Sequence, residues 1–142
     1  DVHNRGKEKS DYSRIYSEER REDLKRMFLS IKKRFQENPN YRPKTITLGS
    51  WMNNILGVQE VLPNGFVESS VIVCSPEISF NGDSMWGQFL RLDGSANKER
   101  VQLFLAKLAE AKNTNDIVES LPVPVLLFEG KVEDFFGYYG IN

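Results

Sequence analysis

Residues 122–141 read PVPVLLFEGKVEDFFGYYGI, and this stretch decides the fold that the sequence predicts. Prolines on both sides of Val123 place the start of a strand at a sheet edge or a barrel mouth, where a missing backbone N–H is tolerated. The apolar residues 125–128 continue this strand, and Gly130 bends it. Two further strands follow and are predicted to form a closing β-pair, residues 132–136 and 138–141.

Upstream of this stretch, short apolar runs alternate with turn residues. The triplets at 63–65 (Pro-Asn-Gly) and 81–83 (Asn-Gly-Asp) are typical of hairpin connections, because glycine adopts positive φ there without steric cost. Closing such a sheet into a barrel removes the unpaired edges that a short open sheet would expose. The predicted strands of this region are residues 44–48, 57–62, 66–74, 77–80 and 85–92.

Two amphipathic helices accompany the strands. Residues 17–37 carry one apolar stripe at helical spacing, and Asn38-Pro39-Asn40 ends the helix. Residues 97–112 repeat this period between the strands, and a short helix is predicted at 114–120. The stripe of the first helix is formed by Leu24, Met27, Phe28, Ile31 and Phe35.

The pattern as a whole predicts an α+β protein with a single domain at residues 17–142. This domain consists of the helix 17–37 and a small antiparallel β-barrel at residues 44–142. Residues 1–16 are predicted to be flexible, because they are polar and lack periodicity. Both tryptophans are assigned to packing, since large aromatic side chains dominate core burial.

Two stretches resemble the OB-fold family of nucleic-acid-binding barrels. Residues 89–95 (FLRLDGS) place a Leu-x-Asp-Gly turn after a strand, and residues 125–132 (VLLFEGKV) place an apolar-x-x-Gly-Lys-Val strand after the intervening helix. The resemblance implies a closed barrel in which bases stack on aromatic side chains of the strands, with cations beside them for the phosphates. Packing in the core or under the first helix is the alternative for each ring. The candidate nucleic-acid-binding residues on this basis are Phe89, Arg91, Lys131, Tyr138 and Tyr139.

Charge is distributed unevenly along the chain. Residues 1–44 hold 13 Lys and Arg against 8 Asp and Glu, a net charge of +5, whereas the remaining 98 residues carry a net charge of −6. A basic arm on an acidic body indicates contact with a polyanion or docking of the arm on its own body. Cations at the end of the first helix either stabilise that helix end or contact phosphates. The cluster that completes the candidate site is Lys32, Lys33 and Arg34.

Residue counts exclude several classes of site. One histidine, His3, and one cysteine, Cys74, are too few for a zinc site built from Cys and His, and they exclude a catalytic triad unless His3 reaches across the fold. A single cysteine excludes an intramolecular disulfide, which favours a reducing, intracellular compartment. No apolar run is long enough to span a bilayer, and the charged N-terminus lacks the apolar core of a signal peptide. The sequence predicts neither a metal, nor a cofactor, nor a membrane partner.

Three functions are left open. Binding of single-stranded DNA or RNA follows from the OB-fold resemblance and the basic arm, within a larger protein if the absent Met and the apolar C-terminal end mark an excised piece. A protein–protein interaction or assembly module without nucleic-acid contact is the alternative, since the predicted barrel is acidic. A minor alternative is a Mg²⁺-dependent nuclease. Its Glu-x-Lys motif would be Glu129 and Lys131, with Asp93 or Asp116 as the second acidic ligand.

Overall fold

The fold is that of a computed structural model, which describes residues 18–73, 75–80 and 85–142. The predicted flexible segment 1–16 and the predicted turn at 81–83 lie outside the described residues.

The described residues form an α+β fold around one antiparallel sheet. Its strands are β1 (Thr45–Ser50), β2 (Val71–Ile72) and β3 (Leu126–Lys131), and β3 lies in the centre. β1 pairs with β3 over six residues of each strand, whereas β2 pairs with β3 over two. In this described part of the chain β1 and β2 each keep one unpaired edge, so the sheet is open. The predicted closed barrel, and the OB-like fold with it, is therefore wrong.

Helices cover the sheet and fill the segments between its strands. Two 3₁₀-helices within the described residues are Trp51–Asn54 and Trp86–Phe89. Seven α-helices occur there as well. They are α1 (Glu19–Glu37), α2 (Leu56–Gln59), α3 (Asn64–Glu68), α4 (Pro76–Ser79), α5 (Lys98–Leu108), α6 (Thr114–Glu119) and α7 (Val132–Tyr138).

The predictions of the longer helices and of two strands are confirmed. α1, α5 and α6 coincide with the predicted helices to within a few residues, and β1 and β3 coincide with two predicted strands. Phe28, in the middle of the apolar stripe of α1, is 1% exposed, while Met27 at the margin of the stripe is exposed. A helix of 19 residues with one apolar face gains its stability by burying that face, which explains why the periodic signal was reliable here.

The predicted closing β-pair is wrong, because residues 132–138 form α7 instead. Val132, Phe135, Phe136 and Tyr139 recur at helical spacing, and all four are buried. Two acidic residues in the first turn suit the positive end of the helix dipole. The helix ends before a glycine with φ of +67°, a left-handed conformation that glycine adopts at helix ends.

Four shorter predicted strands are also wrong in whole or in part. Residues 57–62, 77–80 and 85–92 contain short helices, and in the described part of the strand predicted at 66–74, residues 66–73, β2 is all that remains. The triplet at 63–65 begins α3 rather than a hairpin, since Pro63 is its N-cap residue and Gly65 has no positive φ. A short apolar run fits a buried helical turn as well as a strand, and here the helical turn was formed.

The largest buried cluster, which we call the aromatic core, lies between α1, α3, α7 and β3. The ring centroid of Phe28 lies 4.6 Å from that of Phe135 and 5.6 Å from that of Tyr139. A Cβ atom at Gly130 would lie 2.9 Å from the ring of Phe66, so only glycine allows β3 to approach that ring. The aromatic members of this cluster are Phe28, Phe66, Phe128, Phe135, Phe136 and Tyr139.

Buried amide side chains hold the segment before β3 and the start of β3 to the two 3₁₀-helices. The Gln88 side chain donates to the carbonyl of Val123 at 3.0 Å and accepts from the N–H of the same residue at 2.9 Å. Asn53 and Asn54 donate from Nδ2 to the carbonyls of Leu126 and Pro124, both at 2.8 Å. These side chains satisfy backbone groups that would otherwise be buried without a partner.

Candidate functional site

The structure separates the eight predicted site residues into three places. Lys32, Lys33, Arg34 and Lys131 lie around the C-terminal end of α1 and the end of β3. The two tyrosines, Tyr138 and Tyr139, lie at the C-terminal end of α7, beside Arg21 near the N-terminal end of α1. Of the remaining two residues, Phe89 ends the second 3₁₀-helix and Arg91 lies in the segment that follows it.

A groove of about 440 Å³ lies where the end of β3 meets the start of β1. The two strands are aligned there by the pairing of Thr45 with Lys131. The N–H of Val132 donates to the carbonyl of Lys44 at 3.0 Å, which fixes the chain just beyond the sheet. We call this the basic groove. Its lining consists of Arg42, Pro43, Lys44, Thr45, Lys131, Val132 and Glu133.

Cations next to the basic groove rest on aromatic rings. The ammonium of Lys32 lies 5.1 Å from the centroid of the Phe136 ring, and the guanidinium of Arg42 lies 5.9 Å from that of Phe35. Arg34 lies over Tyr41 at 5.3 Å. Each contact is a cation–π interaction that holds the charged group in place without neutralising it.

These rings connect α1 to the groove, because they pack against one another. Phe35 contacts Phe136 of α7 at 5.7 Å and Tyr41 of the α1–β1 loop at 5.8 Å between centroids. The cations that these elements carry are therefore held on one continuous surface. The sequence separates Lys32 from Lys131 by 99 positions.

The basic groove keeps its positive charge. Within the described residues neither Arg42, Lys44 nor Lys131 forms an ion pair, and Glu133 is the one acidic side chain in the lining. Lys33 is different, since its ammonium lies 3.8 Å from a carboxylate oxygen of Glu37. Of the predicted cluster, Lys33 is thus paired, while Lys32 and Arg34 form no ion pair with any residue that the structure describes.

The two predicted tyrosines hold α7 to its neighbours. The Tyr138 hydroxyl accepts from Arg21 Nη1 at 2.8 Å and donates to the carbonyl of Glu60 at 3.0 Å. Tyr139 is buried, and its hydroxyl donates to the carbonyl of Val61 at 2.6 Å. Burial raises the pKa of Tyr139, the neighbouring Tyr138 raises it further, and Arg21 lowers it. The ring of Tyr139 belongs to the aromatic core, which was the alternative for each predicted ring.

Phe89 belongs to a row of four partly exposed rings that we call the aromatic ridge. Its centroid lies 6.2 Å from that of Trp86 and 5.2 Å from that of Phe104, and Trp86 also stacks on Phe80 at 6.2 Å. Trp86 is 46% exposed, so its assignment to packing alone was wrong. Phe89 is half-buried between its neighbours. The exposed ring of the ridge is that of Trp86, which was not among the candidate site residues.

Arg91 follows the aromatic ridge in an exposed turn. The Asp93 carboxylate accepts from the backbone N–H and the hydroxyl of Ser95, at 2.9 and 2.6 Å. These two hydrogen bonds, the hydroxyl first, lower the pKa of Asp93, and Arg91 lowers it further. Gly94 has φ of +84°, which confirms glycine as the turn residue at this point.

Sequence analysis did not single out Arg42 and Lys44 as site residues. Both were counted in the +5 net charge of residues 1–44, which was the available signal. Their convergence with Lys131 depends on the register of β1 against β3, and nothing in the local sequence encodes that register.

The residues of the Glu-x-Lys motif lie on one face of β3, because residues two apart in a strand point the same way. Asp93 is engaged by Ser95, and the Asp116 carboxylate accepts from the N–H of Lys112 at 2.9 Å. Among residues 18–73, 75–80 and 85–142, no three Asp, Glu, Cys or His side chains are grouped so that they could hold a metal ion. The nuclease stays a prediction.

Nothing in the described chain has the combination of helix length and apolarity that a membrane crossing requires. Comparison of the chain with protein-family models, with curated proteins and with solved structures gave no match.

Proposed function

We propose that the basic groove binds the sugar-phosphate backbone of single-stranded DNA or RNA. The observation that carries the proposal is the convergence of Arg42, Lys44 and Lys131, none of them ion-paired within the described residues, on one groove. Phosphate contacts of Lys and Arg supply most of the affinity of nucleic-acid binding that lacks sequence preference. Lys32 and Arg34 extend the same positive surface along α1.

The environment of the nearby rings favours contact with phosphates over stacking of bases. Phe35, Tyr41 and Phe136 each already have a cation over the ring. A ring that is covered on this side offers no free face to a base, and single-strand binding by stacking needs such faces. The proposed binding therefore depends on charge and is nearly independent of base sequence.

A reducing, intracellular compartment is part of this proposal. The single cysteine provides no intramolecular disulfide, and such a chain suits a compartment where nucleic acids and free thiols coexist.

The test is fluorescence anisotropy with labelled single strands of about 20 nucleotides, at salt concentrations from about 50 to about 200 mM. Three phosphate contacts give a slope of about −2 in the logarithm of affinity against that of salt, so affinity falls about 20-fold over this range. DNA and RNA strands of different sequence should bind within a few-fold of one another.

Two triple variants separate the groove from general surface charge. Arg42→Gln with Lys44→Gln and Lys131→Gln removes the lining cations, and we expect affinity at low salt to fall at least about tenfold. The matched control makes the same charge change on exposed lysines of the α5–α6 region, Lys98→Gln, Lys107→Gln and Lys112→Gln. Equal losses in both variants, or no binding by the unmodified chain at about 50 mM salt, would refute the proposal.

A further inference from the structure

β2 is an edge strand whose side chains are uncovered on both faces of the sheet. Val71 is 61% exposed and Ile72 is 48% exposed, although successive side chains of a strand point to opposite faces. β2 is paired with β3 on one side, and its other side has no strand partner among the described residues. Apolar side chains and a free edge thus coincide in one strand.

The hydrogen bonds of the sheet show which backbone groups this edge presents. The N–H of Val73 donates to the carbonyl of Val125 at 2.9 Å, toward the β3 side. Alternate residues of an antiparallel strand direct their N–H and C=O groups to the same side. The backbone groups of Ile72 therefore point away from β3, to the open edge.

The sequence around β2 has no charged residue or proline that would protect this edge. Residues 69–75 read SSVIVCS, with no charged residue, no proline and no glycine. Edge strands are usually protected by Lys, Pro, a bulge or a very short length, and β2 has the short length but neither the charge nor the proline, so its β-branched residues still offer a template for another strand. The absence of charge also indicates which strand would pair with β2. A strand that pairs with its own copy sets each side chain near the two-fold axis against an identical one, so any charge there would meet a like charge.

We propose that β2 pairs antiparallel with β2 of a second copy of this chain, which joins the two open sheets into one sheet of six strands. The aromatic ridge continues this surface, because Val73 and Phe80 pack against the same buried cluster and Phe80 stacks on Trp86. Two residues of strand give too small an interface on their own, and an exposed tryptophan is a common centre of binding energy. The pairing does not depend on the proposed function of the basic groove.

The experiment is sedimentation equilibrium of the full chain from about 1 to about 100 μM, with Ile72→Lys as the test variant. Lysine at this position sets two like charges near the two-fold axis, and we expect the dissociation constant of the dimer to rise at least about tenfold. Leu29→Lys on α1 is the matched control, since Leu29 is 47% exposed and loses the same apolar group. A monomer at all concentrations in the unmodified chain, or the same weakening in both variants, overturns the proposal.

A charge-swap pair tests the two-fold axis itself. Ile72→Glu alone should also weaken the dimer, whereas an equimolar mixture of Ile72→Lys and Ile72→Glu should associate at least as tightly as the unmodified chain, because opposite charges then meet. Circular dichroism and the melting temperature verify that both variants are folded. If both are folded and the mixture stays monomeric, self-pairing through β2 is refuted.

Discussion

The aromatic core and the aromatic ridge contain the same kinds of residue but differ in burial. In the core, Phe28 is 1% exposed, because a 19-residue helix lays its apolar face over Phe135 and Tyr139. In the ridge, no helix of comparable length among the described residues covers the rings, and Trp86 keeps nearly half of its surface exposed. The two regions therefore differ in burial because of the length of the helix that covers their rings, and not because of the number of rings.

The largest expected effect is the loss of stability when a ring at the centre of the aromatic core is truncated. Phe28→Ala removes the ring on which the core stacks, and we expect the free energy of unfolding to fall by about 3–5 kcal/mol. Trp86→Ala, the matching change in the aromatic ridge, should cost about 1 kcal/mol or less, because a half-exposed ring loses little on truncation. Urea unfolding followed by circular dichroism measures both. Equal losses would mean that the ridge is as tightly packed as the core.

A smaller loss of stability is expected when one methyl group is added inside the aromatic core. Gly130→Ala places a Cβ atom 2.9 Å from the Phe66 ring, and overpacking of this kind costs about 1–3 kcal/mol of unfolding free energy. Gly137→Ala in α7 is the control, since no atom lies within 4 Å of its Cβ position and alanine favours a helix by up to about 1 kcal/mol over glycine. Thermal unfolding of both variants should show shifts of opposite sign. A stable Gly130→Ala variant would mean that the Phe66 ring is free to move.

The smallest effect is a dependence on pH that only the aromatic core should show. Burial raises the pKa of Tyr139 above its ordinary value of 10.0, so the folded protein holds this proton more tightly than the unfolded chain. Its contribution to stability is complete below pH 10 and is lost as the pH rises further. The free energy of unfolding should fall above pH 10 more steeply in the unmodified chain than in Tyr139→Phe. Parallel pH profiles would show that the hydroxyl is not protected by the fold.

Much of the fold was predictable where elements are long, and little of it where they are short. α1 and α5 have several helical turns in which the apolar period is repeated, so the pattern had one interpretation. α7 shows the period at Val132, Phe135, Phe136 and Tyr139, yet the same residues were predicted to form two strands. Runs of four or five residues between β1 and β2 contain too little of either period to decide.

The candidate site was predictable to a similar degree. Local charge indicated Lys32 and Arg34, and the strand motif indicated Lys131. The groove itself required Arg42 and Lys44 from the loop before β1, and their position follows from the β1–β3 pairing, which joins residues about eighty positions apart. Local sequence reasoning names the charges at a site of this kind, but it cannot assemble them.

The central position of β3 has a consequence for the order in which the protein acquires structure during synthesis. β3 is the last of the three strands to leave the ribosome, and both β1 and β2 need it as their partner. Until then α1 has no aromatic core to cover, since Phe128, Phe135 and Tyr139 all follow the start of β3. The nascent chain thus carries its helical face and two unpaired strands until β3 has been synthesised, a state in which chaperones bind exposed apolar segments.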